Sequence, residues 1–190
     1  MERFAQIVSI IGHPLVILPV CVFLKLLPND DLAARSDVIA VIAVVCLATL
    51  SFSWWQVRRG AWVDLDASVP SERKMLVTAV VIGLLCLAIV LFLGDTPSFL
   101  WAGVASAALI VLAAALLARW CKLSLHTAFA VHAAMIFVPN IVLVLGLLGV
   151  AMLIGWSRLI LERHGLTDIV VGYCTGLGAG IVYLMARALF

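Results

Sequence analysis

Apolar residues fill most of the chain and are gathered in seven runs separated by short polar segments. The runs cover residues 4–27, 38–57, 75–93, 98–118, 125–138, 141–154 and 169–189. A helix that crosses a membrane needs about 20 apolar residues, and most of these runs approach or exceed that length. The pattern predicts an all-α fold, a polytopic membrane helix bundle of six or seven transmembrane helices, with residues 1–190 forming a single domain.

Composition excludes the main alternatives to a membrane protein. Apolar residues make up 66% of the chain and charged residues 12%, and the mean hydropathy is +1.26. Soluble domains are about half apolar and about a quarter charged, so a soluble globule and a disordered chain are both excluded. The five cysteines stand singly and form no CxxC motif, which indicates reduced thiols. The net charge is only +2 and no basic tract is present, so we expect no nucleic-acid partner.

Three runs have features that predict how they pack. Pro14 and Pro19 interrupt the first run, which should therefore be kinked or re-entrant. The fifth and sixth runs have about 15 residues each, or about 21–23 Å of helix, which suits helices inside the bundle around a wet cavity. The last run carries Gly172, Gly176 and Gly180 at four-residue spacing, and such a face lets another helix approach closely.

The order of the runs predicts that the polar segments meet on one side of the membrane. Two runs separate the segment at 58–74 from that at 119–126, and two more separate it from 157–168, so these segments and the N-terminus share a face. That face holds nine Lys and Arg residues and the other face three. The ratio is six to three without Arg73, Lys122 and Arg158, which have candidate chemical roles. The positive-inside rule places this face in the cytoplasm, and we expect an integral protein of a bacterial inner membrane.

The richest chemistry lies in residues 157–168, which read SRLILERHGLTD. A neutral imidazole such as that of His164 is a competent nucleophile. A carboxylate four residues later, Asp168, can hold the other ring nitrogen and fix the tautomer. The guanidinium of Arg158 suits the oxygens of a phosphoryl group. Of the other histidines, His13 is expected at the membrane interface and His132 in a packed or pore-lining position.

This segment resembles the third signature of the type 2 phosphatidic acid phosphatase superfamily, SR-x5-H-x3-D, without a gap. The second signature of that family, PSGH, has its counterpart in LSLH at residues 123–126, where leucine replaces both proline and glycine. The first signature, K-x6-RP, has its counterpart ending at Arg73, with Asp66 at the lysine position. Lys122 is a candidate to supply the missing ammonium group from another segment.

The resemblance implies a role for each matching residue. His164 would be the nucleophile that forms a phosphohistidine, Asp168 would orient it, and His126 would be the general acid and then the general base. The residues expected to hold the phosphate are Arg73, Lys122, Ser124, Ser157 and Arg158. The family acts without a metal, so the resemblance implies no cofactor. Asp64 and Asp66 would support Arg73 or bind a headgroup, and a solvated loop is the alternative for this pair.

These roles describe a metal-independent lipid phosphatase acting on a membrane-embedded substrate. The candidate substrates are a polyprenyl phosphate or diphosphate, phosphatidic acid and phosphatidylglycerophosphate, with a polyprenyl compound preferred. A non-catalytic binder or carrier of lipid phosphates on the same fold is the alternative, supported by the altered first and second signatures. A channel or transporter is disfavoured, because the charges cluster at one face and not at the midplane. The oligomeric state is open.

Overall fold

The computed structural model describes residues 1–27, 32–65, 67 and 69–190, and this part of the chain consists of α-helices joined by short connections. The described residues form eight helices and no strand, which confirms the all-α prediction. The helices are α1 (Glu2–Ile11), α2 (Pro14–Leu26), α3 (Leu32–Arg58), α4 (Pro70–Leu93), α5 (Ser98–Leu117), α6 (Leu125–Met135), α7 (Ile141–Ile160) and α8 (Leu166–Leu189).

Within the described ranges, five helices are long and apolar enough to cross a membrane, namely α3, α4, α5, α7 and α8. Helices α1 and α2 form a sixth candidate span when they are taken together as one bent element. Many large apolar side chains on the outside are exposed, such as Ile89, Val142 and Leu153. An apolar surface of this extent needs a lipid covering, and the molecule is therefore a polytopic helical bundle of the predicted kind.

The first apolar run is bent as predicted. The axes of α1 and α2 differ by 56° across Gly12 and His13. Pro14 occupies the first position of α2, where a proline is tolerated because that position needs no backbone N–H donor. The Nδ1 atom of His13 caps this helix by accepting a hydrogen bond from the backbone N–H of Leu15 at 3.2 Å. The cap and the proline together fix the point at which the run changes direction.

Next to the polar segments, three helices extend at least three residues beyond the predicted runs. The sixth run was expected to be short, but α7 continues to Ile160 and takes in Ser157 and Arg158. Likewise, α4 begins at Pro70, so Arg73 lies in its first turn, and Asp168 lies in the first turn of α8. The polar residues do not stop these helices, because a helix end at the membrane interface can hydrate its charged side chains while the backbone stays helical.

The short helix α6 lies inside the bundle, and α8 carries the glycines that allow it to fit there. All residues of α6 from Thr127 to Ala134 are buried. A Cβ atom added at Gly172 would meet the Thr127 side chain, and one added at Gly176 would meet the backbone oxygen of Ala128. One added at Gly180 would meet the side chain of Met135. The predicted glycine face therefore exists, and the helix that approaches it is α6.

We expect Gly176→Ala to destabilise the bundle by about 1–3 kcal/mol, the usual effect of overpacking a tight contact. The new methyl group would press on the backbone of Ala128, which has little freedom to move. The control is Gly178→Ala, because no atom lies within 4 Å of an added Cβ there. This control should be neutral or stabilising, since alanine favours helix over glycine. Thermal unfolding in detergent measures both, and equal effects would contradict the tight α6–α8 contact.

Candidate functional site

The segments that precede α4, α6 and α8 meet at one end of the bundle, as the order of the runs predicts. The guanidinium of Arg73 donates to the backbone oxygen of Leu123 at 3.1 Å. The backbone N–H of Lys122 donates to Oδ1 of Asp168 at 2.9 Å, and that of Ser124 donates to the backbone oxygen of Asp168 at 3.1 Å. These bonds bring together residues from all three of the polar stretches seen in the sequence.

His164 lies at the centre of this end, in the connection between α7 and α8, and is only 8% exposed. Its Nδ1 atom is 2.9 Å from the backbone oxygen of Lys122 and 3.6 Å from Oδ2 of Asp168. A carbonyl oxygen can only accept, so the neutral ring carries its proton on Nδ1. The lone pair is then on Nε2, which is the tautomer that a nucleophilic histidine requires.

Asp168 acts on the backbone more directly than on the histidine ring. Its two carboxylate oxygens accept from the backbone N–H groups of Lys122 and Gly165, at 2.9 and 3.0 Å. Oδ2 of Asp168 also lies 3.6 Å from Nδ1 of His164, which is too far for a good hydrogen bond. The carbonyl oxygen of Lys122, at 2.9 Å, is the nearer acceptor for that ring nitrogen. Asp168 therefore faces the ring at a longer range than the sequence predicted.

Burial and the positive charges around His164 keep its ring neutral. Burial, together with the charges of Arg158, Arg73 and Lys122, lowers the pKa of His164 from 6.5 to about 4. Burial and the two arginines also lower the pKa of Lys122. His164 is thus neutral above about pH 4. Because the unfolded chain takes up this proton first, stability present above pH 6.5 is lost as the pH falls from 6.5 towards 4.

Two arginines and His126 share a cavity wall with His164. Arg73 comes from the first turn of α4 and Arg158 from the last turn of α7. Arg158 is oriented by the N-terminal helix, because its Nη1 atom donates to Oγ of Ser9 at 2.6 Å. His126 lies in the first turn of α6. Four of the residues singled out in the sequence, His126, His164, Arg73 and Arg158, therefore line one space, and Lys122 lies at its edge.

The N-terminal segment contributes side chains to the cavity and its surroundings that the sequence analysis did not place there. The ring of His13 lies edge-on to the ring of His126, with their centroids 5.2 Å apart, and His13 also lines the cavity. Ser9, which accepts the hydrogen bond from Arg158, lies on α1, whereas His13 follows the break between α1 and α2. The only signal in the sequence was the presence of a few polar side chains in a mainly apolar run.

The two serines of the predicted phosphate set are fully buried, outside the wall that the described residues form around the cavity. Ser157 donates its hydroxyl to the backbone oxygen of Ile154 at 2.7 Å. Ser124 precedes α6 as its N-cap residue, and its hydroxyl has no hydrogen-bond partner among the described residues. The structure therefore does not bring Ser124 or Ser157 into the space shared by the histidines and arginines.

The acidic pair that precedes α4 does not line the cavity in the part of the chain that the structure describes. Asp64 is half-buried and does not reach the cavity wall as the described residues form it, and Asp66 lies outside the described residues. A different acid, Glu72, is buried in the first turn of α4 and accepts from the backbone N–H of Val63 at 3.1 Å. Glu72 thus fastens the connection between α3 and α4 onto the helix that carries Arg73.

The cavity has a volume of about 740 Å³. Three histidines and two arginines line it near His164, and mainly apolar side chains of α2, α3, α4 and α5, together with Lys25 and His132, line the remainder. The arrangement suits an amphiphilic anion, with its charged group at the histidines and its apolar part inside the bundle.

Comparisons with protein-family models, curated proteins and solved structures found no match.

Removing one guanidinium should raise the pKa of His164. We expect Arg158→Gln to move this pKa from about 4 upwards, towards 6.5, because the charge of Arg158 is the strongest one that lowers it. Burial remains, so the pKa should stay below 6.5. NMR titration of the protein labelled in its histidines, assigned with His164→Ala, measures the change. Arg119→Gln is the matched control, since Arg119 is exposed and stacks on Trp120 away from the site. An unchanged pKa in Arg158→Gln would contradict this electrostatic account.

Proposed function

We propose that this protein is a membrane lipid phosphatase that removes a terminal phosphate from a lipid phosphate or diphosphate through a phosphohistidine. The observation that carries the proposal is the hydrogen bond from Nδ1 of His164 to the backbone oxygen of Lys122. This bond leaves Nε2 unprotonated in a cavity that Arg73 and Arg158 also line. The full third signature of the type 2 phosphatidic acid phosphatase superfamily in the sequence supports the same reaction.

In the first step, Nε2 of His164 attacks phosphorus and the bond from phosphorus to the leaving oxygen breaks. The leaving oxygen takes a proton from His126, which acts as the general acid. Burial and the charge of Arg158 lower the pKa of His126 in the empty site. The negative charge of a bound phosphate raises this pKa again, so the ring takes up its proton together with the substrate. The negative charge on the phosphoryl oxygens is balanced by Arg73 and Arg158, whose planar guanidinium groups fit two oxygens at once. The carbonyl of Lys122 stabilises the positive charge that develops on the ring.

In the second step, a water molecule attacks the phosphohistidine. His126, now neutral, takes one proton from the water, the bond from phosphorus to Nε2 breaks, and inorganic phosphate leaves. His126 keeps this proton and is thereby ready to protonate the next leaving oxygen, so the protons balance over a cycle. Phosphoryl transfer depends mainly on positioning and charge stabilisation, both of which this set of residues is suited to supply.

The resemblance to the phosphatase superfamily implies a reaction without a metal cofactor. The positive charges of Arg73, Arg158 and Lys122 take the place that a divalent cation has in other phosphatases. By the positive-inside rule, this end of the bundle faces the cytoplasm of a bacterial cell.

A non-catalytic binder or carrier of lipid phosphates is the second candidate. It is favoured by the side chains that stand at the second signature, where Leu123 and Leu125 replace proline and glycine. Glycine lets a backbone N–H approach a phosphate oxygen closely, and leucine reduces that access. Such a protein would bind the same lipids in the same cavity but would form no covalent intermediate.

We expect His164→Ala to abolish phosphate release, because it removes the nucleophile, while the protein still folds. The assay is phosphate release by the protein in detergent and EDTA. Its substrates are polyprenyl phosphate, polyprenyl diphosphate, phosphatidic acid and phosphatidylglycerophosphate. If the unmodified protein releases phosphate and His164→Ala does so as well, the assignment of the nucleophile is contradicted.

The His126→Ala variant separates the two candidates. A phosphatase lacking His126 should accumulate a phosphohistidine when given a substrate with a good leaving group, because the second step lacks its base. A carrier should show no acid-labile phosphate on the protein under the same conditions. The double variant with His164→Ala is the background control.

Lys122→Ala should lower kcat/KM by about tenfold, because one of the charges that attract the phosphate is lost. The ammonium group of Lys122 is exposed and donates to the backbone oxygen of Arg163 at 3.4 Å, so its removal leaves the backbone bonds to His164 and Asp168 in place. Arg119→Ala removes a nearby exposed cation outside the cavity and is the control. An unchanged kcat/KM in Lys122→Ala would show that this lysine does not replace the missing lysine of the first signature.

A further inference from the structure

We infer that His13 is a positioning residue of the candidate site, which orients the ring of His126 for both steps of the proposed reaction. The inference rests on the proposed function for the reaction itself. It adds a third histidine, contributed by the N-terminal segment, to the two histidines that the resemblance assigns to catalysis. His13 acts through His126, so this role requires no contact between His13 and the substrate.

The two histidines meet where α2 and α6, which pack against each other, both begin. His13 directly precedes α2 as its N-cap residue, and His126 lies in the first turn of α6. Their rings are nearly perpendicular, with an interplanar angle of 89° and centroids 5.2 Å apart. Both side chains are half-buried and line the cavity. The ring of His13 therefore limits the rotation of the ring of His126 beside the proposed phosphate site.

Hydrogen bonds orient the other residues of the site but not the ring of His126. Nδ1 of His164 is held by the backbone oxygen of Lys122, and Nη1 of Arg158 is held by Oγ of Ser9. Within the part of the chain that the structure describes, the ring of His126 makes no hydrogen bond. The edge-on contact with another ring is therefore the directional contact that restrains it.

The orientation of this ring decides whether His126 is able to transfer a proton. The torsion that turns an imidazole ring about its Cβ–Cγ bond has two broad minima. A half turn exchanges Nδ1 with Cδ2 and Nε2 with Cε1, so that a carbon atom takes the place of the reacting nitrogen. General acid–base catalysis requires that nitrogen within about 2.6–3.2 Å of the oxygen that it serves. An edge-on ring contact favours its own geometry by a factor of about two to ten.

His13 is itself held in place by its neighbours in the chain. Its Nδ1 atom accepts from the backbone N–H of Leu15 at 3.2 Å, which restrains the ring and leaves the proton of the neutral ring on Nε2. A Cβ atom added at Gly12 would meet the side chain of Ile154, so the segment before His13 packs closely against α7. In this neutral state the ring adds no charge to the site, and its effect on His126 is one of orientation.

The variant His13→Asn separates the ring from the helix cap. Asparagine is a good N-cap residue, so its side-chain oxygen still accepts from Leu15, while the ring beside His126 is lost. We expect kcat for phosphate release to fall about two- to tenfold with little change in KM, because the arginines proposed to bind the phosphate remain. Gln6→Ala is the matched control. Gln6 lines the cavity from the same segment and makes no hydrogen bond or ring contact among the described residues, so kcat should be unchanged.

A double-mutant cycle with His126→Ala tests whether His13 acts through His126. Each protein is given polyprenyl diphosphate, whose leaving group needs little help from an acid, and hydrolysis of the phosphohistidine is followed as loss of acid-labile phosphate. His13→Asn should slow this hydrolysis when His126 is present and should have no effect in the His126→Ala background. Equal slowing in both backgrounds would indicate a general structural role and would overturn the inference, as would no slowing in either.

A measurement of ring motion keeps this inference separate from the proposed reaction. NMR relaxation of the protein labelled in its histidine rings, assigned with His126→Ala, reports motion on both the ps–ns and the μs–ms timescales. His13→Asn should increase the motion of the His126 ring, seen as a lower order parameter or as exchange broadening, and Gln6→Ala should not. Unchanged motion in His13→Asn would overturn the inference. Increased motion without phosphate release from any lipid by the unmodified protein would overturn the phosphatase proposal and leave the orientation of His126 by His13 in place.

Discussion

The backbone of Lys122 makes two hydrogen bonds on which the candidate site depends. Its N–H donates to Asp168 at 2.9 Å and its carbonyl oxygen accepts from His164 at 2.9 Å. One peptide segment thus fixes both the carboxylate and the imidazole, and it does so from the connection that leads into α6. The next bond, from the N–H of Ser124 to the backbone oxygen of Asp168, continues the same link. The segments before α6 and α8 therefore cannot shift independently.

This link needs α6 and α8 to run side by side at very short distance. The glycines at 172, 176 and 180 allow the approach, since a side chain at any of them would meet α6. The contact between α6 and α8 thus determines both the packing in the middle of the bundle and the positions of the polar residues at its end. The geometry of the candidate site follows from small residues that have no chemical role of their own.

The charge around His164 is unfavourable for the empty site. Burial lowers the pKa of both His164 and Lys122, and the charges of Arg158 and Arg73 lower both further. The carboxylate of Asp168 already accepts hydrogen bonds from backbone N–H groups. Like charges at the edge of a low-dielectric bundle repel one another. A dianionic phosphate would offset this repulsion. Local conflicts of this kind are expected at functional sites, where stability is given up for binding.

The sequence was sufficient for the fold class and for much of the site, for reasons specific to membrane proteins. Long apolar runs have few alternatives to helices in lipid, and the order of the runs was enough to bring residues 73, 122 and 164 to one end. The contribution of Ser9 and His13 was not predictable, because it depends on a 56° bend that returns α1 towards α7. The role of the Lys122 carbonyl oxygen could not be predicted either. Every residue has a backbone carbonyl, and the sequence does not show which one accepts a hydrogen bond.

The short helix α6 lines both the part of the cavity proposed to hold the phosphate and the part proposed to hold the lipid tail. His126 in its first turn lines the cavity near Arg73 and Arg158, and Phe129, His132 and Ile136 continue the wall along the helix. A lipid tail in this space would lie against the helix that carries the proposed general acid. Attack on phosphorus requires the reacting atoms to lie about 3–3.5 Å apart. In the proposed reaction, a well-seated tail would limit the movement of its phosphate at Nε2 of His164. Binding energy from the tail would then act on the rate of the chemical step as well as on affinity.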